Sequence, residues 1–277
     1  DFSISREKER LSWGIPVPGD DSQVMYVWFD ALTNYISTLG WPNQSENFKK
    51  FWQDNKSETV HLIGKDILRF HSIIWPAMLM SAGLELPKEI LVHGFITVGG
   101  KKMSKSLGNV IDPMDLIEKY GVEAFRYYFA REISPFEDGD FSEKKFVEAY
   151  NSNLADGLGN LVSRIMKMVT SNNIDISKSK FEDIGISELN KFQIQSTIDG
   201  IWKFISDLDK RIQDEVPFKL IKSDREKAIT IIKSLGGGLA QISASLQPFL
   251  PDTAKRIGDL IRKNEMPEKP LFPRIEI

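Results

Sequence analysis

Residues 102–106 read Lys-Met-Ser-Lys-Ser, inside the run Gly99-Gly-Lys-Lys-Met-Ser-Lys-Ser-Leu-Gly-Asn109. Two ammonium groups three residues apart alternate with hydroxyls, and glycines flank them on both sides. Such a segment can fold over a polyphosphate: the lysines act as mobile point charges and the glycines let the backbone come close. A solvated basic loop is the alternative, but a strand-like run over 89–98 leads into this one and a helix start at Asp112-Pro113 follows it. Gly64-Lys65-Asp66 stands at a strand-to-helix turn, where Asp66 either caps the helix or offers a polar group to a ligand. Ile67, His71 and Trp75 recur at i, i+4 and i+8 with Phe70 and Ile74 beside them, an aromatic wall on one helix face. Trp28, Ala31 and Tyr35 come from a strand end and the helix beginning that faces it. Asn160 and Arg164, one helical turn apart, offer directional donors that suit the base edges of a splayed RNA loop, or else form an ordinary polar helix face.

Other chemistries find no support. The three histidines, His61, His71 and His93, lie in no nucleophile motif, and there is no cysteine. Zero cysteines exclude a disulfide framework and any thiolate metal site, and no metal ligands are expected in these residues. Gly-Gly-Lys-Lys lacks the spacing of a Walker A loop, and no pair of carboxylates is marked out for acid/base work.

These residues need elements to position them. At 277 residues, 41% hydrophobic and 27% charged, the chain has the length and composition of a globular protein of two domains. No apolar run spans a bilayer and no signal-peptide pattern opens the chain, so no membrane partner and a cytoplasmic location are expected. A net charge of −3 gives no global footprint for nucleic acid, so RNA would have to bind at local patches. The first part alternates strand-like and helix-like runs: strands over 24–29, 58–63 and 89–98, helices over 30–39 and 66–83. That order predicts a parallel sheet with right-handed crossovers, with ligands outside the carboxyl ends of its strands. From Asp112 the strand pattern stops. Short helices are expected over 113–120 and 122–132, then a break through Pro135 and Gly139, with Ser142 as an N-cap. Helices over 143–172, 186–215, 217–247 and from Pro251 complete an all-α region, joined by a polar linker at 171–180. Phe146, Tyr150, Leu154, Leu158, Leu161 and Ile165 form a bundle face, and Gly236-Gly-Gly238 marks close helix packing.

The pentapeptide, with Val92-His-Gly-Phe95 before it and Leu107-Gly-Asn109 after it, resembles the signature loop of class I aminoacyl-tRNA synthetases. Most of the chain resembles the methionyl-tRNA synthetase branch, through Ser12–Pro18, Tyr26–Ala31, His61–Asp66, Phe70–Ala77, Asp138–Ser142, Gly159–Arg164 and the closing Pro270–Arg274. The family's other signature, a His-Ile-Gly-His-like motif, is absent from these residues. The resemblance therefore implies the C-terminal part of such an enzyme, inactive without the missing N-terminal half of the catalytic domain. It implies residues 1–111 as the C-terminal half of a Rossmann-type catalytic domain, 112–141 as a stem-contact connector and 142–277 as a helical anticodon-binding bundle. The implied function is methionine–tRNA ligase, with methionine, tRNA(Met) and ATP with Mg2+ as substrates. Lys105 is then the first choice of catalytic cation, Lys102 the second and Lys101 the third. Charge held near leaving pyrophosphate by a fixed donor is worth ~3–4 kcal/mol. Gly64, Asp66, His93, Gly94, Lys102, Ser104 and Lys105 would bind ATP. Trp28, Ala31, Tyr35, Ile67, Phe70, His71 and Trp75 would enclose the thioether, each sulfur–aromatic contact worth ~0.3–1.5 kcal/mol. Asn160, Arg164 and Phe218 would read the anticodon, with Phe218 in place of the family's tryptophan after Pro217. Leu32, where many relatives have proline, and the exchanged Asn153 and Asp156 are further departures. A synthetase for another aliphatic amino acid and a non-catalytic tRNA-binding protein are the rivals.

Overall fold

The computed structural model describes residues 5–43, 45–54, 58–104, 106 and 108–276. Lys105, the preferred catalytic cation, lies outside the described residues. The chain divides into two compact units, Asp1–Phe95 and Ile96–Ile277.

In the first unit, β1 (Ser5–Glu7) and β2 (Pro16–Val17) flank β3 (Asp20–Met25), all antiparallel. The strand predicted over 24–29 is therefore wrong in place and partner: β3 ends at Met25, and α1 (Val27–Leu32) follows, then α2 (Asn34–Ser37). Leu32 and Ile36 enter the core at helical spacing with Trp28 and Tyr35 beside them, a period that a short apolar run does not reveal. A turn of helix, α3 (Glu46–Phe48), brings Phe48 into the same core. The parallel sheet is confined to one pair, β4 (Val60–Gly64) with β5 (Glu89–His93), in register from Val60 opposite Glu89 to Gly64 opposite His93. The helix between them begins at Lys65 and reaches α4 (Trp75–Ser81) through a π turn at Phe70–Ile74, where the Trp75 N–H donates to the Phe70 carbonyl. Pro76 supplies the reason: it has no N–H for the Ser72 carbonyl, so the hydrogen-bond ladder shifts by one just before it.

The predicted strand 89–98 is two strands. It breaks at Gly94-Phe95, and β6 (Ile96–Val98) joins a different sheet in the second unit, between β7 (Lys101–Lys102) and β8 (Gly139–Phe141). The helices α5 (Pro113–Tyr120) and α6 (Val122–Arg131) fall where periodicity puts them. Ser142 occupies the N-cap position of α7 (Glu143–Ala149) but its side chain makes no capping bond, contrary to expectation. Helical turns continue through Tyr150–Gly159 into α8 (Asn160–Ser171). A left-handed Phe192 (φ 58°) delays α9 to Ile194–Glu215. After α10 (Pro217–Leu220), the Asp224 side chain accepts from the Lys227 N–H and starts α11 (Arg225–Leu246), which splits the predicted helix 217–247. α12 (Pro251–Lys263) completes the bundle. One apolar core runs through this unit, with Leu154, Leu158, Leu161 and Ile165 fully buried as the predicted face.

Candidate functional site

In the first unit an aromatic cluster forms where α1 and α2 meet the helix after β4. Trp28 stacks on Phe70 with ring centres 4.7 Å apart and planes 16° off parallel. The Tyr35 hydroxyl lies 2.8 Å from His71 Nε2, and His71 Nδ1 lies 3.0 Å from the Ile67 carbonyl oxygen. A carbonyl can only accept, so His71 Nδ1 donates to it, while Nε2 meets the Tyr35 hydroxyl. Trp75 lies beneath, almost wholly buried, and its indole N–H donates to His61 Nε2 at 3.1 Å. His61 was passed over in the sequence because a lone histidine in a strand carries no spacing signal. In the fold it packs on Tyr35 at 4.3 Å. Burial first, then the nearby His71, lower its pKa from 6.5 to about 4. His61 and His71 thus sit among four large rings, an environment that suits an uncharged, polarizable side chain. Trp28, Tyr35, Phe70, His71 and Trp75 are brought together. Ile67 contributes its carbonyl, and Ala31 is half-buried on α1.

At the carboxyl ends of β4 and β5, Gly64 lies opposite His93. A methyl group on Gly64 would meet Asp66 Oδ1 at 2.8 Å and the His93 ring at 3.7 Å. The glycine therefore keeps open the space onto which a carboxylate and an imidazole converge. Asp66 does not occupy the N-cap position: the helix starts a residue earlier, with Gly64 there. His93 Nδ1 donates to the Gly94 carbonyl at 2.8 Å, and the Lys65 ammonium lies 4.7 Å over the Phe95 ring.

In the second unit the lysine segment opens as a β-hairpin. Val98 pairs with Lys101 across a two-residue turn, Gly99-Gly100, whose φ angles are +60° and +70°. Positive φ at both central residues is the primed turn that matches strand twist, and glycine adopts it at no cost. Asp140 on β8 pins this turn: its Oδ1 accepts from the Gly100 N–H at 2.7 Å and the Thr97 hydroxyl at 2.8 Å. These two bonds, the Gly100 one first, hold its carboxyl below the usual range. Asn109 closes the far side, accepting from the Ser104 N–H at 2.9 Å and donating to the Lys102 carbonyl at 3.3 Å. Met103 lines an apolar pocket of about 330 Å3 with Ile96, Leu116 and Phe129, while Lys101 and Lys102 stay exposed. The hairpin thus turns Met103 toward apolar side chains and presents Lys101 and Lys102. Asp140 and Asn109 were given no role from the sequence; that of Asp140 depends on a pairing between distant segments, and that of Asn109 on the path of the loop back to Lys102 and Ser104.

Arg164 and Phe218 line one groove of about 470 Å3 with Lys167, Met168, Asn172 and Ile212. Arg164 Nη1 pairs with Asp209 Oδ1, and Phe218 is 45% exposed. Asn160, exposed on the preceding turn of α8, is not among the residues that line it. Asp156, one of the exchanged residues, pairs with Arg274 at 3.1 Å. Among the described residues no group of His, Asp and Glu could hold a metal ion, and no helix is long and apolar enough to cross a membrane.

A strand-end site, a glycine-turned lysine hairpin and a helical bundle in one chain are the parts of a class I tRNA synthetase. Residues 1–166 match the family described as tRNA synthetases class I (M), and the chain belongs to that family. It is 42% identical to the methionine–tRNA ligase of Fusobacterium nucleatum subsp. nucleatum over all of this chain and 49% of that protein. It is 39% identical to the methionine–tRNA ligase of Mesorhizobium japonicum over 94% of this chain and 52% of that one. The fold is similar to Mycobacterium tuberculosis methionyl-tRNA synthetase in complex with methionyl-adenylate, with a TM-score of 0.76, 36% identity, and coverage of 93% of this chain and 54% of the other. The chain spans about half the length of the curated relatives it matches.

Proposed function

We propose that the chain is the C-terminal part of a methionine–tRNA ligase. Methionine and ATP, with Mg2+ bound to the phosphates as part of the substrate, give methionyl-adenylate and pyrophosphate; methionine then passes to the terminal ribose of tRNA(Met) with release of AMP. Residues 1–111 act as the second half of a Rossmann-type catalytic domain, 112–141 as a stem-contact connector and 142–277 as an anticodon-binding bundle. A two-stranded parallel ladder supports the first assignment, because so small a parallel sheet does not stand alone and calls for further strands. Lys102 and Lys105 stabilise charge on the departing pyrophosphate. Ser104 belongs to the same loop, and Gly64, Asp66, His93 and Gly94 hold the nucleotide. Asn160, Arg164 and Phe218 meet the anticodon.

The observation that carries the methionine assignment is the cluster of Trp28, Tyr35, Phe70, His71 and Trp75, with buried His61 packed against it. A thioether gains dispersion and sulfur–aromatic contacts there and loses no hydrogen bond on leaving water. The test is amino-acid-dependent ATP–pyrophosphate exchange by a fusion of the N-terminal half of the Fusobacterium nucleatum relative to this chain. Exchange with methionine, and none with leucine, isoleucine or valine, is expected; preference for one of those three would sink the assignment. Exchange by the 277-residue chain without the fusion would overturn the view that it lacks half of its nucleotide site.

A further inference from the structure

The groove that holds Arg164 and Phe218 contains a second, less obvious arrangement. Asp209 Oδ1 accepts from Arg164 Nη1, and Asp209 Oδ2 accepts from Gln213 Nε2 at 2.6 Å. Asp209 and Gln213 are one turn apart on α9, so amide, carboxylate and guanidinium form a relay from α9 across to α8. Each carboxylate oxygen has a partner, so Gln213 holds the carboxylate in place and the carboxylate in turn restrains the guanidinium at Nη1.

A guanidinium with no counter-charge at the wall of an RNA groove would be drawn to any phosphate, a contact that carries no sequence information. A carboxylate beside it removes that pull and leaves directional N–H donors on a fixed plane, which is what base-edge recognition requires. We propose that Asp209, braced by Gln213, is the positioning residue that makes Arg164 a selective reader of a base edge rather than a general phosphate binder. The inference rests on the anticodon reading of this groove given above. Lys167, exposed along the same groove, keeps its charge for the phosphate backbone. The pair is about one-third exposed on both sides, so its removal adds little strain to the fold.

The test is binding of the protein to two stem–loop RNAs across a salt series, one with a CAU anticodon and one with the first anticodon base changed. The wild type is expected to prefer the CAU loop by about tenfold or more, ~1.4 kcal/mol. Asp209→Asn keeps the shape and loses the charge. It should bind both RNAs at least as tightly as wild type, with the preference reduced by about threefold or more and the salt slope steeper by about one. Asp209→Glu should recover most of the preference. A full preference and unchanged salt slope in Asp209→Asn overturn the proposal, as does an equal weakening toward both RNAs together with a lowered melting temperature, which marks a merely structural role. A wild type with no preference overturns the anticodon reading itself, and this inference with it.

Discussion

The hydrogen bond from Trp75 to His61 ties the aromatic cluster to pH. An unfolded histidine takes up its proton near pH 6.5, whereas His61 in the fold does so only near 4. Between those values the unfolded chain binds more protons, so this residue lowers stability as pH falls from about 6.5 to about 4 and has no effect above that window. The loss amounts to at most roughly 3 kcal/mol. His61→Gln keeps an acceptor for the indole and does not titrate, so the fall in denaturant midpoint between pH 7 and pH 5 should be visibly smaller in the variant. An equal fall in both proteins would place the proton elsewhere. At this scale the sequence was informative where spacing recurs, as with Ile67, His71 and Trp75. It was silent on His61, whose neighbours Tyr35, Trp52, His71 and Trp75 come from three separate segments.

Elements decide where these side chains point. Asp140 and Gly100 of the lysine hairpin lie 40 residues apart in sequence and are brought together by the parallel pairing of β6 with β8. Asp140→Ala should speed amide exchange at Gly100 while leaving global unfolding unchanged; an unaltered exchange rate would show that the turn holds itself. The three glycines of α11 give a sharper contrast. A methyl group on Gly236 would meet Ile176 Cγ2 at 2.8 Å and one on Gly238 would meet Leu208 Cδ1 at 2.8 Å, whereas Gly237 has nothing within 4 Å. Gly236→Ala and Gly238→Ala should each cost ~1–3 kcal/mol from overpacking. Gly237→Ala should be neutral or stabilise by up to ~1 kcal/mol, alanine being the better helix former. Urea midpoints of the three variants check this, and a similar loss in all three would contradict it. That Gly236 and Gly238 serve close packing was legible from the interrupted helical pattern; that Gly237 faces open space was not. The break at Gly94-Phe95 was not, because both halves of 89–98 are strands and only their partners differ. Nor was the helical state of Val27–Leu32, where an apolar run fits either period.

At the scale of the whole molecule, the second unit holds together through contacts across more than a hundred residues. Glu123 on α6 accepts from the Asp252 N–H at 2.7 Å and the Thr253 hydroxyl at 2.5 Å, capping α12. Arg126, a turn later, donates to the Pro248 and Phe249 carbonyls, both at 2.7 Å. Asn151 exchanges two hydrogen bonds with the Ile275 backbone. No local pattern announces such pairs, whereas the bundle face from Phe146 to Ile165 announced itself by period alone. The bundle is also where the central claim is most exposed to test. The direct measurement is the affinity of the wild-type chain for a methionine tRNA with its CAU anticodon and for the same tRNA with that anticodon changed. The change is expected to weaken binding by more than about tenfold, ~1.4 kcal/mol; equal affinity for the two tRNAs would overturn the assignment.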